Sequence, residues 1–347
     1  MKELNMKRVF PFAVSISIFI LISGAYAQLA KSKRVNALAS PFQTKIYRGE
    51  LTSLSGLPNG PVFVAGYAVE EGSDYNKYRP VLWRILNSTA TVMALRSPYR
   101  IDECFWLDER TGWAYATGKG IYKTTDGGRT WVKQPYDPTE NVFFLDKTHG
   151  WYFDSDRLMG IEGTKTAKLA SIDVKYVTHI KQLQFVTFDT GWLLDVEDGR
   201  FRFQKSYDGG KSWDPVEGPF TEVDSFQFLN EKDGYVSTPE GLYATVNGGS
   251  SWDLALDIEE HELIDRIFFL SPNVGWTYGN RICMTMNAGH EWKCQKRPDD
   301  LDGDSIKGFL FTDESNGWLL VDNKLFSTND GGKIWKRKNL SYGKIIF

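Results

Sequence analysis

Residues able to hold a metal or form a crosslink are few in this 347-residue chain, which has three cysteines and four histidines. The histidines, His149, His179, His261 and His290, show no metal-ligand spacing, so no metal site and no cofactor is expected. A basic excess is also missing. The formal charge is −3, and it grows more negative without Lys2, Lys7 and Arg8, which argues against a nucleic-acid binder. Long amphipathic helical patterns are absent. A single long apolar run occurs, VFPFAVSISIFILI at 9–22, and it is short for a membrane span. With basic residues before it and AYA at 25–27 after it, the run has the form of a secretory signal peptide cut after Ala27. No cysteine follows, so no lipoprotein anchor is expected. The expectation is an exported protein, periplasmic or extracellular, without a transmembrane segment in its mature chain. Residues 1–27 are its signal, 28–44 a linker and 45–347 its folded part.

What is abundant is aromatic residues and glycine: Trp 12 and Gly 32, with aromatics at 14%. They recur in order. A Gly-aromatic pair appears at 112, 150, 191, 234, 275 and 317, a period of about 40 residues. A short apolar run precedes each pair and two further short strands follow it. A diverged copy at the front, LTSLSGLPNGPVFVAG at 51–66, aligns Gly60 with Gly112 and carries an insertion at 67–79. Four short strands per unit, repeated seven times, predict an all-β chain folded as a single seven-bladed β-propeller. The end, SYGKIIF at 341–347, is a candidate strand for closing the ring.

Five units carry an octet: TTDGGRTW at 124–131, SYDGGKSW at 206–213, TVNGGSSW at 245–252, TMNAGHEW at 285–292 and TNDGGKIW at 328–335. Glycine supplies the positive φ of a tight turn between two strands. Asp126, Asp208, Asn247, Asn287 and Asp330 can each accept backbone N–H bonds inside that turn. Trp131, Trp213, Trp252, Trp292 and Trp335 then open the next strand and bury a large ring. A general acid would not survive the exchange of Asp for Asn at 247 and 287, and one octet per blade cannot converge on one substrate. The octet is therefore read as a folding device.

The octets resemble Asp-boxes, also called BNR repeats, of the form Ser/Thr-x-Asp-x-Gly-x-Thr/Ser-Trp. Such repeats occur in sialidases, sortilin-type receptors, some xyloglucan hydrolases and the photosystem II stability/assembly factors. The fuller unit GWAYATGKGIYKTTDGGRTW at 112–131 is most similar to the last group. That resemblance spans roughly residues 45–340 and implies a propeller that assists another protein's maturation. The assembly factors use an arginine-rich surface, from which this chain departs. The sialidase constellation is not matched: YRPV at 78–81 lacks the Arg-Ile-Pro form, and Arg100, Arg202, Arg266 and Arg281 show no triad pattern. An acidic run, RPDDLDGDS at 297–305, has Ser305 and Phe311 where a calcium-binding EF-hand needs glycine and glutamate.

Counting ten residues back from each reference glycine gives Glu50, Asp102, Glu140, Lys181, Asp224, Asp265 and Lys307. All seven are ionisable and should ring one mouth of the central channel. Two residues on, Thr52, Cys104, Val142, Leu183, Phe226, Ile267 and Phe309 form a core-like column, as the strand period requires. That register makes Cys104 a buried thiol. Cys283 and Cys294 flank the octet turn symmetrically, so in an exported hairpin they should form a cross-strand disulfide. The charged mouth, with Tyr75 and Tyr78 of the insertion above it, is the candidate site for a protein or glycan partner. A non-enzymatic binding or assembly scaffold is the leading expectation. A secreted glycoside hydrolase and a lectin-like module are the alternatives.

Overall fold

The computed structural model describes residues 47–346 apart from 71–77, 94, 96–99, 117–118, 137, 139, 155–156, 172–179, 198–199, 258–262, 299–300, 302–305 and 343–344. No α-helix occurs among the described residues. Seven four-stranded antiparallel sheets follow one another along the chain, each made of consecutive strands. Their first strands are Tyr47–Gly56, Glu103–Trp106, Glu140–Phe144, Ile180–Phe185, Ser225–Phe228, Ile264–Phe269 and Ile306–Phe311. First strands pack against those of neighbouring sheets, and that of sheet seven meets that of sheet one. The sheets are thus seven blades of a β-propeller, with the first strands innermost.

The Gly-aromatic pair opens the second strand of blades two to seven, within the first residues of that strand, and packing explains both of its members. In blade five, a Cβ on Gly234 would lie 2.3 Å from Cε1 of Phe228, an inner-strand residue of the same blade. Glycine is needed because the Phe228 ring lies against its backbone. The other side of that ring stacks on Trp192 of blade four, centroids 3.5 Å apart and planes 9° off parallel. The same stack joins Trp151 to Phe185, Tyr235 to Phe269 and Trp276 to Phe311. Octet tryptophans add a third ring edge-on: Trp252 to Phe228, Trp213 to Phe185, Trp292 to Phe269 and Trp335 to Phe311. Such pairs are worth about 0.5–1.5 kcal/mol each beyond the area they bury.

The octets join third to fourth strands and cap their own turns. Thr130 donates its backbone N–H (2.9 Å) and hydroxyl (2.6 Å) to the Asp126 carboxylate, while Gly128 N–H reaches Thr124 Oγ1 at 2.9 Å. Asn247 and Asn287 accept the corresponding backbone bond through Oδ1, from Ser251 at 2.9 Å and Glu291 at 3.0 Å. Both turn glycines have positive φ in four octets, and in the remaining one Ala288 takes the first place with φ 62°. The preceding blade also ties in: Trp151 donates to Gly209 O and Trp276 to Gly331 O, at 2.9 and 3.0 Å.

In the insertion, Val62–Glu70 and Tyr78–Leu86 are paired strands, with Val69 opposite Tyr78, so its described part lengthens a hairpin. One expectation is corrected. The chain end does not extend a blade. Ser341–Tyr342 and Ile345–Ile346 pair with each other, and Trp83 Nε1 of blade one donates to Ser341 O at 3.4 Å. Cys283 and Cys294 face each other across the hairpin and form a disulfide.

Candidate functional site

Inner strands have one edge paired within the blade and the other turned toward the channel, where backbone groups need partners. Amide side chains of the preceding blade supply them. Gln184 Nε2 donates to Phe228 O at 2.8 Å, and Phe228 N–H donates back to Gln184 Oε1 at 2.9 Å. Gln182 does the same with Phe226, and Gln227 with Phe269. The channel wall is therefore rigid and internally satisfied at these seams. Chemistry is left to the mouth.

Six of the seven ionisable positions stand within one residue of the start of an inner strand, and Glu50 is the fourth residue of Tyr47–Gly56. In blade one that strand runs away from Glu50, and the second strand returns to Tyr67 opposite it. Second-to-third hairpins and blade linkers therefore share the mouth face, while the octets lie on the opposite face. The Glu140 side chain and Tyr75 fall outside what is described; Tyr78 is half-buried and meets Tyr67 edge-on, with ring centroids 5.2 Å apart.

The remaining positions divide into two halves. On blades seven, one and two the charges are internally matched. Lys307 Nζ donates to Glu50 Oε1 at 2.7 Å and to Leu51 O at 2.9 Å, and the Tyr67 hydroxyl donates to Glu50 Oε2. Burial would raise the Glu50 carboxyl, but the bonds from Lys307 and Tyr67 outweigh it and hold it below its ordinary value. Tyr67 is pushed up by burial and by that carboxylate. Arg100 Nε lies 2.7 Å from the Asp102 carboxylate, with its guanidinium 5.9 Å from the Tyr67 ring.

On blades four, five and six the described charges act on one another without hydrogen bonds: Asp224 with Lys181 and Arg266, and Asp265 with Arg266 and Arg297. The Asp224 and Asp265 carboxylates are half-buried, and neither accepts a hydrogen bond from any described residue. Burial pushes both carboxyls above their ordinary value, Asp224 with help from Glu222 and Asp265. Arg266 lies between them electrostatically; burial lowers its guanidinium to about 10, and its Nε has no partner among the described residues. Lys181 Nζ sits 4.0 Å from the Phe201 ring centroid, lowered by burial but supported by Asp224 and Glu222. Sequence reading found the seven-position ring but missed Tyr67, Arg266 and Phe201 as its neighbours. Arg266 directly follows a ring position, a signal that could have drawn attention to it.

No metal-competent cluster of three or more His, Cys, Asp or Glu occurs among the described residues. Cys104 is buried, and burial pushes its thiol to about 12, which makes it inert as a nucleophile.

No known protein family matches the sequence, and no curated protein matches it. Solved structures do share the fold. YCF48 from Cyanidioschyzon merolae is 15% identical, with TM-score 0.57 over 85% of this chain and 98% of that one. YCF48 bound to D1 peptide is also 15% identical, with TM-score 0.50 over 67% and 79%. PorZ, an essential bacterial surface component of the type-IX secretion system of Porphyromonas gingivalis, is 14% identical, with TM-score 0.53 over 86% of this chain and 40% of PorZ. An ancestral GH74 enzyme is 14% identical, with TM-score 0.50 over 71% and 39%. At these identities the likeness carries the fold. The chain shares the β-propeller fold with YCF48.

Proposed function

We propose that this chain is an exported, non-enzymatic propeller of the cell envelope or the surrounding medium that binds a polypeptide and assists its assembly. One observation carries the reading. Asp224 and Asp265 stand half-buried at the mouth without hydrogen-bond partners among the described residues, while the other half of the ring is matched within itself. Desolvated carboxylates that accept no hydrogen bond are costly even with Arg266 and Lys181 nearby, and a ligand cation that donates to them offsets that cost. A lysine, arginine or N-terminal amine of a partner polypeptide has that chemistry. The likeness to YCF48, solved with D1 peptide, and to PorZ, a surface component, supports a protein-binding role. The octets, which we take as Asp-boxes, then serve only the fold. Residues 1–27 act as the leader and 45–347 as the propeller.

The same observation favours a second reading. A raised carboxyl near a second carboxylate is what a glycoside hydrolase needs, and an ancestral GH74 enzyme shares the fold. Affinity capture from envelope and medium with the tagged protein, beside Asp224→Asn/Asp265→Asn, separates the two. A protein retained by the wild type and lost by the variant supports the binding role. Glycan hydrolysis lost in the variant, without such a protein, supports the enzyme.

A further inference from the structure

Blade four differs from its neighbours at its outer edge. Its third strand, Arg200–Ser206, is seven residues long, but its fourth, Asp214–Pro215, pairs only with Lys205 and Gln204. Val216 N–H adds one bond to Phe203 O at 2.8 Å, and there the pairing stops. In blade five the fourth strand instead pairs through to the start of the third, with Asp257 opposite Gly241. The sequence supplies the reason. WDPVEGPF at 213–220 places two prolines and a glycine where the strand would continue, and proline cannot donate to a ladder.

The consequence is an open edge. Because Phe203 O faces outward, the N–H and C=O of Phe201, two residues earlier, face outward as well. Neither has a partner among the described residues. The displaced linker stands off from this edge and leaves a cavity of about 470 Å³, lined by Phe201, Phe203, Val216, Glu217, Phe220 and Glu222 among others. Phe220 pins the linker by packing edge-on against Tyr243 and Trp252, so the cavity has a fixed outer wall. Arg202, inside it, is held by the Asp195 carboxylate at 2.9 and 2.5 Å. Glu217 and Glu222 therefore give the groove an acidic balance.

The groove is continuous with the mouth. Phe201 lies under Lys181, and Glu222 acts on both Lys181 and Asp224. We infer that the edge of the third strand of blade four takes an extended segment of a partner polypeptide by strand addition, with a basic side chain of that segment placed toward Glu222 and Asp224. Backbone pairing with Phe201 supplies binding that does not depend on sequence, and the acidic end selects charge. This rests on the polypeptide-binding reading above and locates where the segment runs.

The test uses phage-displayed random dodecapeptides panned on the purified protein, then synthetic copies of enriched peptides measured by fluorescence anisotropy. Enriched peptides should carry Lys or Arg beside β-branched residues. Phe201→Pro should weaken them about tenfold, and Glu222→Lys should do the same through charge. N-methylation of alternate peptide amides should also weaken binding about tenfold, which keeps the inference testable if Phe201→Pro fails to fold. Absence of any enriched peptide overturns it, as does binding indifferent to N-methylation. Binding lost in Asp224→Asn/Asp265→Asn but kept in Phe201→Pro and Glu222→Lys overturns the strand edge and leaves the mouth reading standing. A dimer dissolved by Phe201→Pro, or a glycan that competes for the groove without a peptide, assigns the groove to another occupant and overturns it too.

Discussion

Gly234→Ala should be among the most damaging single-methyl additions in the molecule. The new Cβ would stand 2.3, 2.4 and 2.8 Å from Cε1, Cδ1 and Cγ of Phe228. Carbon atoms pack at about 3.5–4.0 Å, so the ring must retreat by about 1 Å or the strands must part. Retreat is blocked, since Trp192 lies stacked behind the ring and Trp252 abuts it edge-on. Phe228 itself is fully buried. Overpacking of this kind costs about 1–3 kcal/mol, and a ring with no way out belongs at the upper end. Gly163→Ala is the control: φ is 64° there and nothing lies within 4 Å of the new Cβ, leaving a backbone cost of about 1 kcal/mol. Urea unfolding followed by tryptophan fluorescence and far-ultraviolet circular dichroism measures both. Phe228→Leu in the Gly234→Ala background should recover about 1 kcal/mol as coupling. Equal losses at 163 and 234, or no coupling with Phe228, would refute the stacked-ring explanation of the Gly-aromatic pair.

Ala288→Gly should stabilise the protein by about 1 kcal/mol, because it relieves a left-handed alanine in a turn whose four counterparts carry glycine; an unchanged urea midpoint would count against it. Hydrogen bonds led by that from the Thr130 hydroxyl hold Asp126 down to about 2, and those led by Ser212 hold Asp208 there despite burial. Folded values below the unfolded ones mean that this stability is present above the unfolded value of about 4 and lost as pH falls toward 2. A thermal series from neutral to acid should therefore fall less steeply for Asp126→Asn/Asp208→Asn than for the wild type. Cys104 should resist iodoacetamide in the native state at mildly alkaline pH, with its thiol raised to about 12, and Cys283 and Cys294 should label only after reduction; mass spectrometry reads both. Binding of a cationic peptide at the mouth should weaken as pH falls through the raised values of Asp224 and Asp265, and a pH-independent affinity would remove those carboxylates from the site.

The ring and its register were legible because strand alternation and a near-constant repeat constrain every unit alike. Of the seven-residue column, Cys104, Val142, Leu183, Phe226, Ile267 and Phe309 are buried as its spacing required, while Thr52 is only half-buried. Pairing across the ring left no local trace. Lys307 meets Glu50 from 257 positions away, and nothing in either neighbourhood distinguishes that hydrogen-bonded pair from Asp224 and Asp265, whose carboxylates accept no hydrogen bond from described residues. The pairing within the insertion left no such trace either: Tyr67 and Tyr78 sit in paired strands and meet edge-on. The open edge of blade four did have a signal, the prolines of WDPVEGPF, which mattered only once the length of the neighbouring strand was known.

How the ring is closed bears on which part of it can vary. Among the described residues, blade one is made wholly of N-terminal strands and blade seven wholly of strands before the terminal hairpin, and no described strand crosses from one end to complete the other's sheet. The seam is held by side chains instead. Asn323 accepts from Leu51 N–H at 2.7 Å and donates to Gly49 O at 3.0 Å, and Lys307 bridges Glu50 and Leu51 O. Close approach replaces the aromatic stack: a Cβ on Gly308 would meet Leu54 at 2.6 Å, and one on Gly56 would meet Leu310 at 2.8 Å. Glu50 and Lys307 are thus committed to closure, which limits what their half of the mouth can bind. Asp224 and Asp265 bear no such duty, because Gln184 and Gln227 already join the seams on either side of blade five. The half of the mouth left to recognition is the half where backbone-to-amide pairs have taken over the structural work.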